Sequence, residues 1–149
     1  MTVERVRREH LAAIATLEAS VFHAPWSEQS LELLIGDTAL GFVVMEEGVA
    51  LCYVGMLTVL DEGQITNVAT HPDHRRRGYA DAVLRVLFAE ARARGLAEIT
   101  LEVRESNAAA ISLYERHGFS TVGKRPRFYS HPVEAALIMA LSLGADNGD

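Results

Sequence analysis

Ile65-Thr66-Asn67-Val68-Ala69-Thr70-His71-Pro72-Asp73-His74-Arg75-Arg76-Arg77-Gly78-Tyr79-Ala80 is a strand pattern, a turn closed by Pro72, three consecutive arginines, a glycine and the opening of a helix. A strand-to-helix junction of this kind gathers unpaired backbone N–H groups and the positive end of the helix dipole at one point. That point suits an anion, and above all a phosphate. Gly78 lets the backbone approach a ligand with no side chain in the way. Three cations ahead of a helix N-terminus oppose the dipole unless an anion is expected there; a solvated basic turn is the alternative. The spacing Arg75-x-x-Gly78-x-Ala80 is neither the Walker pattern, which ends in Gly-Lys-Ser/Thr, nor the dinucleotide Gly-x-Gly-x-x-Gly pattern.

Outward from this junction the periodicities are regular. The spacing of Ala80, Val83, Leu84, Leu87, Phe88 and Ala91 predicts a helix over 78–94, ended by Gly95. Upstream, 41–45 and 50–60 read as strands joined by Glu46-Glu47-Gly48, and 64–70 as another. Leu11, Ile14, Leu17 and Val21 share one face of a helix over 10–22. His23-Ala24-Pro25-Trp26 breaks that helix, and Ser27 caps a second one carrying Leu31, Leu34 and Ile35. A short strand over 3–6 precedes them. Downstream come a strand over 98–104, a helix over 107–116 stopped by His117-Gly118, a strand over 119–124, and a last strand over 135–143 expected to close the sheet. Such alternation predicts one α/β domain with a mixed sheet, spanning 1–149, with 144–149 a frayed polar tail.

Composition narrows the function classes. A chain of 149 residues, 49% apolar and 23% charged, has room for one real core. The net charge of −6 argues against broad nucleic-acid binding and is compatible with a basic peptide substrate. Cys52 is the single cysteine and lies in an apolar run, so it is read as packing rather than as a nucleophile. No apolar run reaches membrane-spanning length and no signal-peptide pattern opens the chain, so a soluble cytoplasmic protein is expected. The six histidines show no metal-ligand spacing with carboxylates or Cys52, and no metal is expected.

A second informative stretch is Leu101-Glu102-Val103-Arg104-Glu105-Ser106-Asn107, continuing through Tyr114 to Phe119. Asn107 opens a helix and Tyr114 follows two turns later, so both share one face about 10 Å apart. An extended ligand arm fits along that face. Taken alone, Asn107 also reads as an N-cap, Tyr114 as a core aromatic, and Glu102 as a solvent-facing strand residue.

The run Asn-Ala-Ala-Ala-Ile-x-Leu-Tyr-Glu-x-x-Gly-Phe over 107–119, together with the phosphate-loop stretch, resembles the acetyl-coenzyme A site of the GNAT superfamily of N-acetyltransferases. With Asn67-Val68-Ala69 and Ala24-Pro25-Trp26-Ser27 included, the chain is similar to the bacterial ribosomal-protein-alanine N-acetyltransferases, the RimI type. The resemblance implies a mixed, mostly antiparallel sheet splayed at its centre and flanked by helices, with acetyl-coenzyme A as cosubstrate. It implies that backbone groups at Val68, Ala69 and Thr70 align the pantetheine arm, with Asn107 beside it. It implies that Arg75 and the amides of Arg76, Arg77, Gly78, Tyr79, Ala80 and Asp81 hold the pyrophosphate. Glu102 is then the general base and Tyr114 the general acid, with Trp26, Asn67 and Tyr129 on the substrate side. The chain departs from the family pattern at Ala80, where glycine is common. It departs too at Phe128-Tyr129, often Tyr-Tyr, and at Pro132-Val133-Glu134-Ala135-Ala136, which keeps the glutamate and lacks an aspartate.

Elementary chemistry agrees with those roles. Acetyl transfer needs a neutral amine, and an α-amine has a pKa of about 8 against about 10.4 for lysine. Deprotonating lysine therefore costs roughly 3 kcal/mol more at 1.36 kcal/mol per unit. A glutamate, directly or through water, can take the ammonium proton, and a phenol can supply one to the departing thiolate. The expected activity is acetylation of a protein N-terminus, such as the N-terminal alanine of a small-subunit ribosomal protein. Two readings stay open beside it: a lysine or small-amine acetyltransferase on the same fold, and a non-catalytic coenzyme-A-binding module.

Overall fold

The predicted long helix forms as α3, Tyr79–Ala93, and buries the apolar stripe Val83, Leu84, Leu87, Phe88 and Ala91 against one face of the sheet. The computed structural model describes residues 1–144, so all but Gly144 of the predicted tail lies outside the described residues. The chain runs β1 (Val3–Arg5), α1 (Leu11–Val21), α2 (Glu28–Leu31, continued by a 3-10 turn over Glu32–Ile35), β2 (Ala39–Glu46), β3 (Val49–Val59) and β4 (Glu62–Thr70). After α3 come β5 (Glu98–Arg104), α4 (Ala108–Arg116), β6 (Ser120–Tyr129) and β7 (Glu134–Ser142).

Local signals set the element ends. Ser27 caps α2, its hydroxyl accepting the Ser30 N–H at 3.1 Å, and Asn107 caps α4 by accepting the Ala110 N–H at 3.1 Å. Each such cap stabilises its helix by about 1 kcal/mol. Alternation then sorts the central strands between two cores. Leu40, Phe42 and Val44 of β2 face α3, whereas Ala39 and Val43 face α1 and α2. Strands covered on both sides read as continuous apolar runs, as 39–45 and 50–57 do.

The seven strands lie in the order β1-β2-β3-β4-β5-β7-β6. The last strand does not close the sheet as expected; β7 inserts between β5 and β6, and β6 is the edge. Its pairing with β5 extends from Glu98↔Ser142 to Arg104↔Ala136. The reason is the apolar inner half of β7 (Ala136, Met139 and Leu141 are buried), against a β6 rich in lysine, arginine and proline that tolerates an edge. β6 also runs five residues past its expected end, to Tyr129, with the register slipping between Arg125 and Tyr129.

All neighbours pair antiparallel except β4 and β5, which are parallel and pair only over Glu62↔Glu98, Gly63↔Ile99 and Gln64↔Thr100. Beyond those residues the two strands part, which is the expected central splay. A bulge at Thr66 adds to it: Gly55 pairs with Asn67 and Met56 with Ile65, leaving Thr66 unpaired in register. Thr66 turns its hydroxyl to the Gly55 carbonyl at 3.1 Å. A Cβ at Gly55 would press on Leu34 at 3.0 Å and on the Thr66 hydroxyl at 3.1 Å, so the bulge needs glycine opposite it.

Candidate active site

Where β4 and β5 part, a cleft of about 920 Å³ opens. β4 contributes Asn67 and Val68, β5 contributes Glu102, and α4 contributes Asn107 and Tyr114. Trp26 and His23, from the segment after α1, form one wall; Tyr129 and His131, at the end of β6 and just beyond, form the other. Arg75 lies at the margin of the same cleft. Eight of the residues named from the sequence therefore meet in one cavity.

Glu102 sits on the face of β5 opposite Ile99, Leu101 and Val103, whose side chains enter the core. The core beneath α1 and α2 includes no residue of β5, and the glutamate, half-buried, lines the cleft. The Arg125 guanidinium lies 3.4 Å from its carboxylate. That arginine is largely exposed, so the pair contributes at most about 1 kcal/mol. Tyr114 enters from the α3 side of the sheet with its ring packed on Phe119 (centroids 5.7 Å apart) and is 7% exposed. Its hydroxyl has no hydrogen-bond partner among the described residues, and the residue lines the cleft. Burial, with smaller contributions from Tyr129 and Cys52, pushes its pKa well above the usual phenol value. Tyr114 therefore carries its proton throughout the neutral and mildly alkaline range. The Cys52 thiol is buried, beside the Thr70 hydroxyl at 3.4 Å, and burial pushes its pKa up to about 11, as befits a packing residue.

The loop expected to hold the pyrophosphate lies at the start of α3. Gly78 is the N-cap residue with φ of +81°, a left-handed conformation that glycine adopts without strain, and Arg76 also has positive φ, at 63°. A Cβ at Gly78 would meet nothing within 4 Å, so the space in front of the loop is open. The first turn of α3 leaves its N–H groups without intrahelical acceptors. Arg75, Arg76 and Arg77 are exposed and in no ion pair among the described residues; Arg77 only touches His74, at 3.2 Å. Three unneutralised arginines beside free amides fit a pyrophosphate. Asp81, in the same turn, is committed elsewhere: it pairs with His117 at 2.8 Å and Arg116 at 3.3 Å. Burial alone would raise its pKa, but the His117 hydrogen bond and the Arg116 charge outweigh that and hold it low. Of the other expected contacts, Ala69 points into the α1 core and Thr70 toward Cys52, so only their backbone groups are available to a ligand arm.

The walls of the cleft are held by residues that the sequence reading passed over. Arg104 stacks on the Tyr129 ring at 4.5 Å and donates to the carbonyls of Ser130 and Pro132, at 2.9 and 3.0 Å. It also pairs with Glu134 at 3.2 Å, and Glu134 accepts the Ser106 N–H at 2.6 Å. The Ser106 bonds and the Arg104 charge lower the Glu134 pKa. Across the mouth, the rings of His23 and His131 approach to 4.6 Å and bridge the two walls. On the other side Glu18 is completely buried and accepts hydrogen bonds from Tyr53, Asn67 and the Trp26 backbone. Glu18 had a signal in the sequence, a carboxylate beside Leu17 on the apolar face of α1. Arg104 had none, because its partners lie 26 to 30 residues away. Among the described residues no three His, Cys, Asp or Glu side chains come together as a metal site.

A split sheet, an arginine-rich loop before a helix N-terminus, and a carboxylate and a phenol lining one cleft are the arrangement expected of an acyltransferase that uses a coenzyme A thioester. The profile of the Acetyltransferase (GNAT) family matches residues 11–119. The chain is 36% identical to the ribosomal protein bS18-alanine N-acetyltransferase of Escherichia coli strain K12, over 95% of this chain and 97% of that enzyme. The crystal structure of the Escherichia coli ribosomal-protein-S18-alanine N-acetyltransferase superposes with a TM-score of 0.89 at 35% identity, covering 98% of this chain and 96% of that one. An aminoglycoside 6'-N-acetyltransferase complexed with coenzyme A, 12% identical, shares the fold with a TM-score of 0.84, over 99% of this chain and all of that one. The chain belongs to the GNAT family of N-acetyltransferases. It is an acetyltransferase, and its acetyl donor is acetyl-coenzyme A.

Proposed function

We propose that the enzyme acetylates the α-amine of a protein N-terminus, with the N-terminal alanine of a ribosomal protein as its substrate. The observation that carries this reading is the 36% identity, along nearly the whole of both chains, to an enzyme named for acetylating alanine on ribosomal protein bS18. The open cleft supports it, since a polypeptide must continue outward past Trp26 and Tyr129.

Acetyl-coenzyme A supplies the activated acetyl group as a thioester. Arg75 and the amides of Arg76 to Asp81 hold its pyrophosphate, with Val68, Ala69, Thr70 and Asn107 along the arm. Glu102 accepts the proton of the substrate ammonium, directly or through a water, and so frees the nitrogen lone pair. As the new C–N bond forms and the C–S bond breaks, Tyr114 gives its hydroxyl proton to the departing sulfur, and the second proton that nitrogen sheds on becoming an amide restores the Tyr114 hydroxyl through solvent. Its raised pKa fits a group that must still hold a proton when the thiolate, of pKa about 8.5, leaves. Asn67, Trp26 and Tyr129 orient the peptide. The reaction is direct, since the buried thiol of Cys52 is no acyl acceptor. No helix among the described residues is long and apolar enough to cross a membrane.

The test uses purified protein, acetyl-coenzyme A and two peptides: one with a free N-terminal alanine, one N-blocked with an internal lysine. Mass spectrometry is expected to find the acetyl group on the free α-amine alone. Transfer confined to lysine would overturn the proposal.

A further inference from the structure

Glu18 takes no part in the proposed proton transfers, yet it is the most completely enclosed charged side chain among the described residues. Its Oε2 accepts hydrogen bonds from the Tyr53 hydroxyl of β3 and the Asn67 side-chain amide of β4. Its Oε1 accepts the backbone N–H of Trp26 at 2.9 Å. Its main-chain carbonyl accepts the Phe22 N–H at 2.9 Å. Both ends of the segment 22–26 are thus tied to one residue.

All three side-chain contacts donate to Glu18, as an acceptor-only carboxylate requires. Tyr53 stays a donor because burial, and then the neighbouring carboxylate, push its pKa far above the usual phenol value. A buried carboxylate is an expensive way to fill an apolar stripe, and a leucine there would serve packing at least as well. What only the carboxylate can do is fix donors from three separate elements in one arrangement. Two of those donors belong to residues that line the substrate side of the cleft, Asn67 and Trp26.

We infer that Glu18 is the positioning residue of the acceptor subsite, holding Asn67 and the Trp26 backbone in the arrangement that receives the substrate amine. This rests on the proposed reading in which the peptide N-terminus enters past Trp26. Glu18 touches neither substrate nor the reacting atoms; it acts through the wall it holds. Replacement by glutamine keeps the size but turns one acceptor into a donor, so either Trp26 or Asn67 loses its partner.

The experiment measures kcat and KM for the free-alanine peptide, acetyl-coenzyme A affinity by calorimetry, and thermal melting, for wild type, Glu18→Gln and Tyr53→Phe. Glu18→Gln is expected to raise the peptide KM about tenfold, with kcat changed less than about threefold and coenzyme affinity within about twofold. Tyr53→Phe, which removes one donor and keeps the ring, is expected to raise the peptide KM about threefold and to leave coenzyme affinity alone. A folded Glu18→Gln with an unchanged peptide KM, or with an equal loss of coenzyme affinity, overturns the inference. Should Glu18→Gln not fold, an unchanged peptide KM in Tyr53→Phe overturns it instead. Wild type that transfers nothing to the α-amine peptide refutes the acceptor reading itself, and this inference with it.

Discussion

Replacing Tyr114 by phenylalanine removes one oxygen from a ring that is 7% exposed and packed on Phe119. In most buried tyrosines that oxygen is hydrogen-bonded, and deleting it costs about 1 kcal/mol or more because a partner is orphaned. Here the hydroxyl has no partner among the described residues, so the stability change should stay within about 1 kcal/mol of zero. Proton donation to the leaving sulfur is lost, which removes a general-acid contribution of about 10²- to 10⁴-fold. That corresponds to roughly 3 to 5 kcal/mol of barrier at 1.36 kcal/mol per decade. The assay combines thiol release at saturating peptide, calorimetric coenzyme A binding and thermal melting. Turnover should fall by that factor, with coenzyme affinity within about twofold of wild type. Two results would refute the reasoning: turnover within about threefold of wild type, or a loss of turnover matched by a large fall in melting temperature.

Gly78→Asp places a carboxylate at the proposed pyrophosphate loop, in space where a Cβ meets nothing within 4 Å. Repulsion of about 1 to 3 kcal/mol after screening should weaken coenzyme binding roughly ten- to hundredfold in calorimetry, and unchanged affinity would displace the loop assignment. Glu102→Gln keeps the shape of the cleft and removes the proton acceptor, so kcat/KM should fall about 10²- to 10⁴-fold with coenzyme affinity retained; near-normal kcat/KM would point to another base. Asp81 has a depressed pKa in the folded state, so its stabilisation is present above the unfolded value of about 3.9 and disappears as pH falls through the lower folded one. Asp81→Asn should therefore cost about 1 kcal/mol at neutral pH, a gap that closes below about pH 4 in urea melts. A gap independent of pH would mean the loss is packing rather than charge.

Signals that act over a few residues were readable. The Ser27 and Asn107 caps, the stripe of α3 and the loop with Gly78 each declare themselves within one or two turns of chain. Alternation of strands and helices already points to an α/β domain with a mixed sheet, whereas the central splay and the expected roles of Glu102 and Tyr114 rest on resemblance, because alternation by itself sends Glu102 to solvent. What sequence could not supply was the sheet order and the width of the splay. Both depend on register between distant strands, and the bulge at Thr66 exists only against Gly55. The walls of the cleft were opaque for the same reason, since Arg104 finds its partners beyond β6. Glu18 was legible in principle: a carboxylate on an apolar helix face must have donors waiting, and those donors identify the acceptor wall.

In the proposed reaction, coenzyme and peptide N-terminus meet between Glu102 and Tyr114 in the gap between β4 and β5. A crystal structure with a bisubstrate conjugate, coenzyme A joined through an acetyl bridge to the α-nitrogen of an alanine-initiated peptide, tests it most directly. The bridge should lie between the Glu102 carboxylate and the Tyr114 hydroxyl, with the pyrophosphate at Gly78 and the peptide leaving between Trp26 and Tyr129. A bridge lying away from both side chains, or a peptide that leaves by another route, would contradict it.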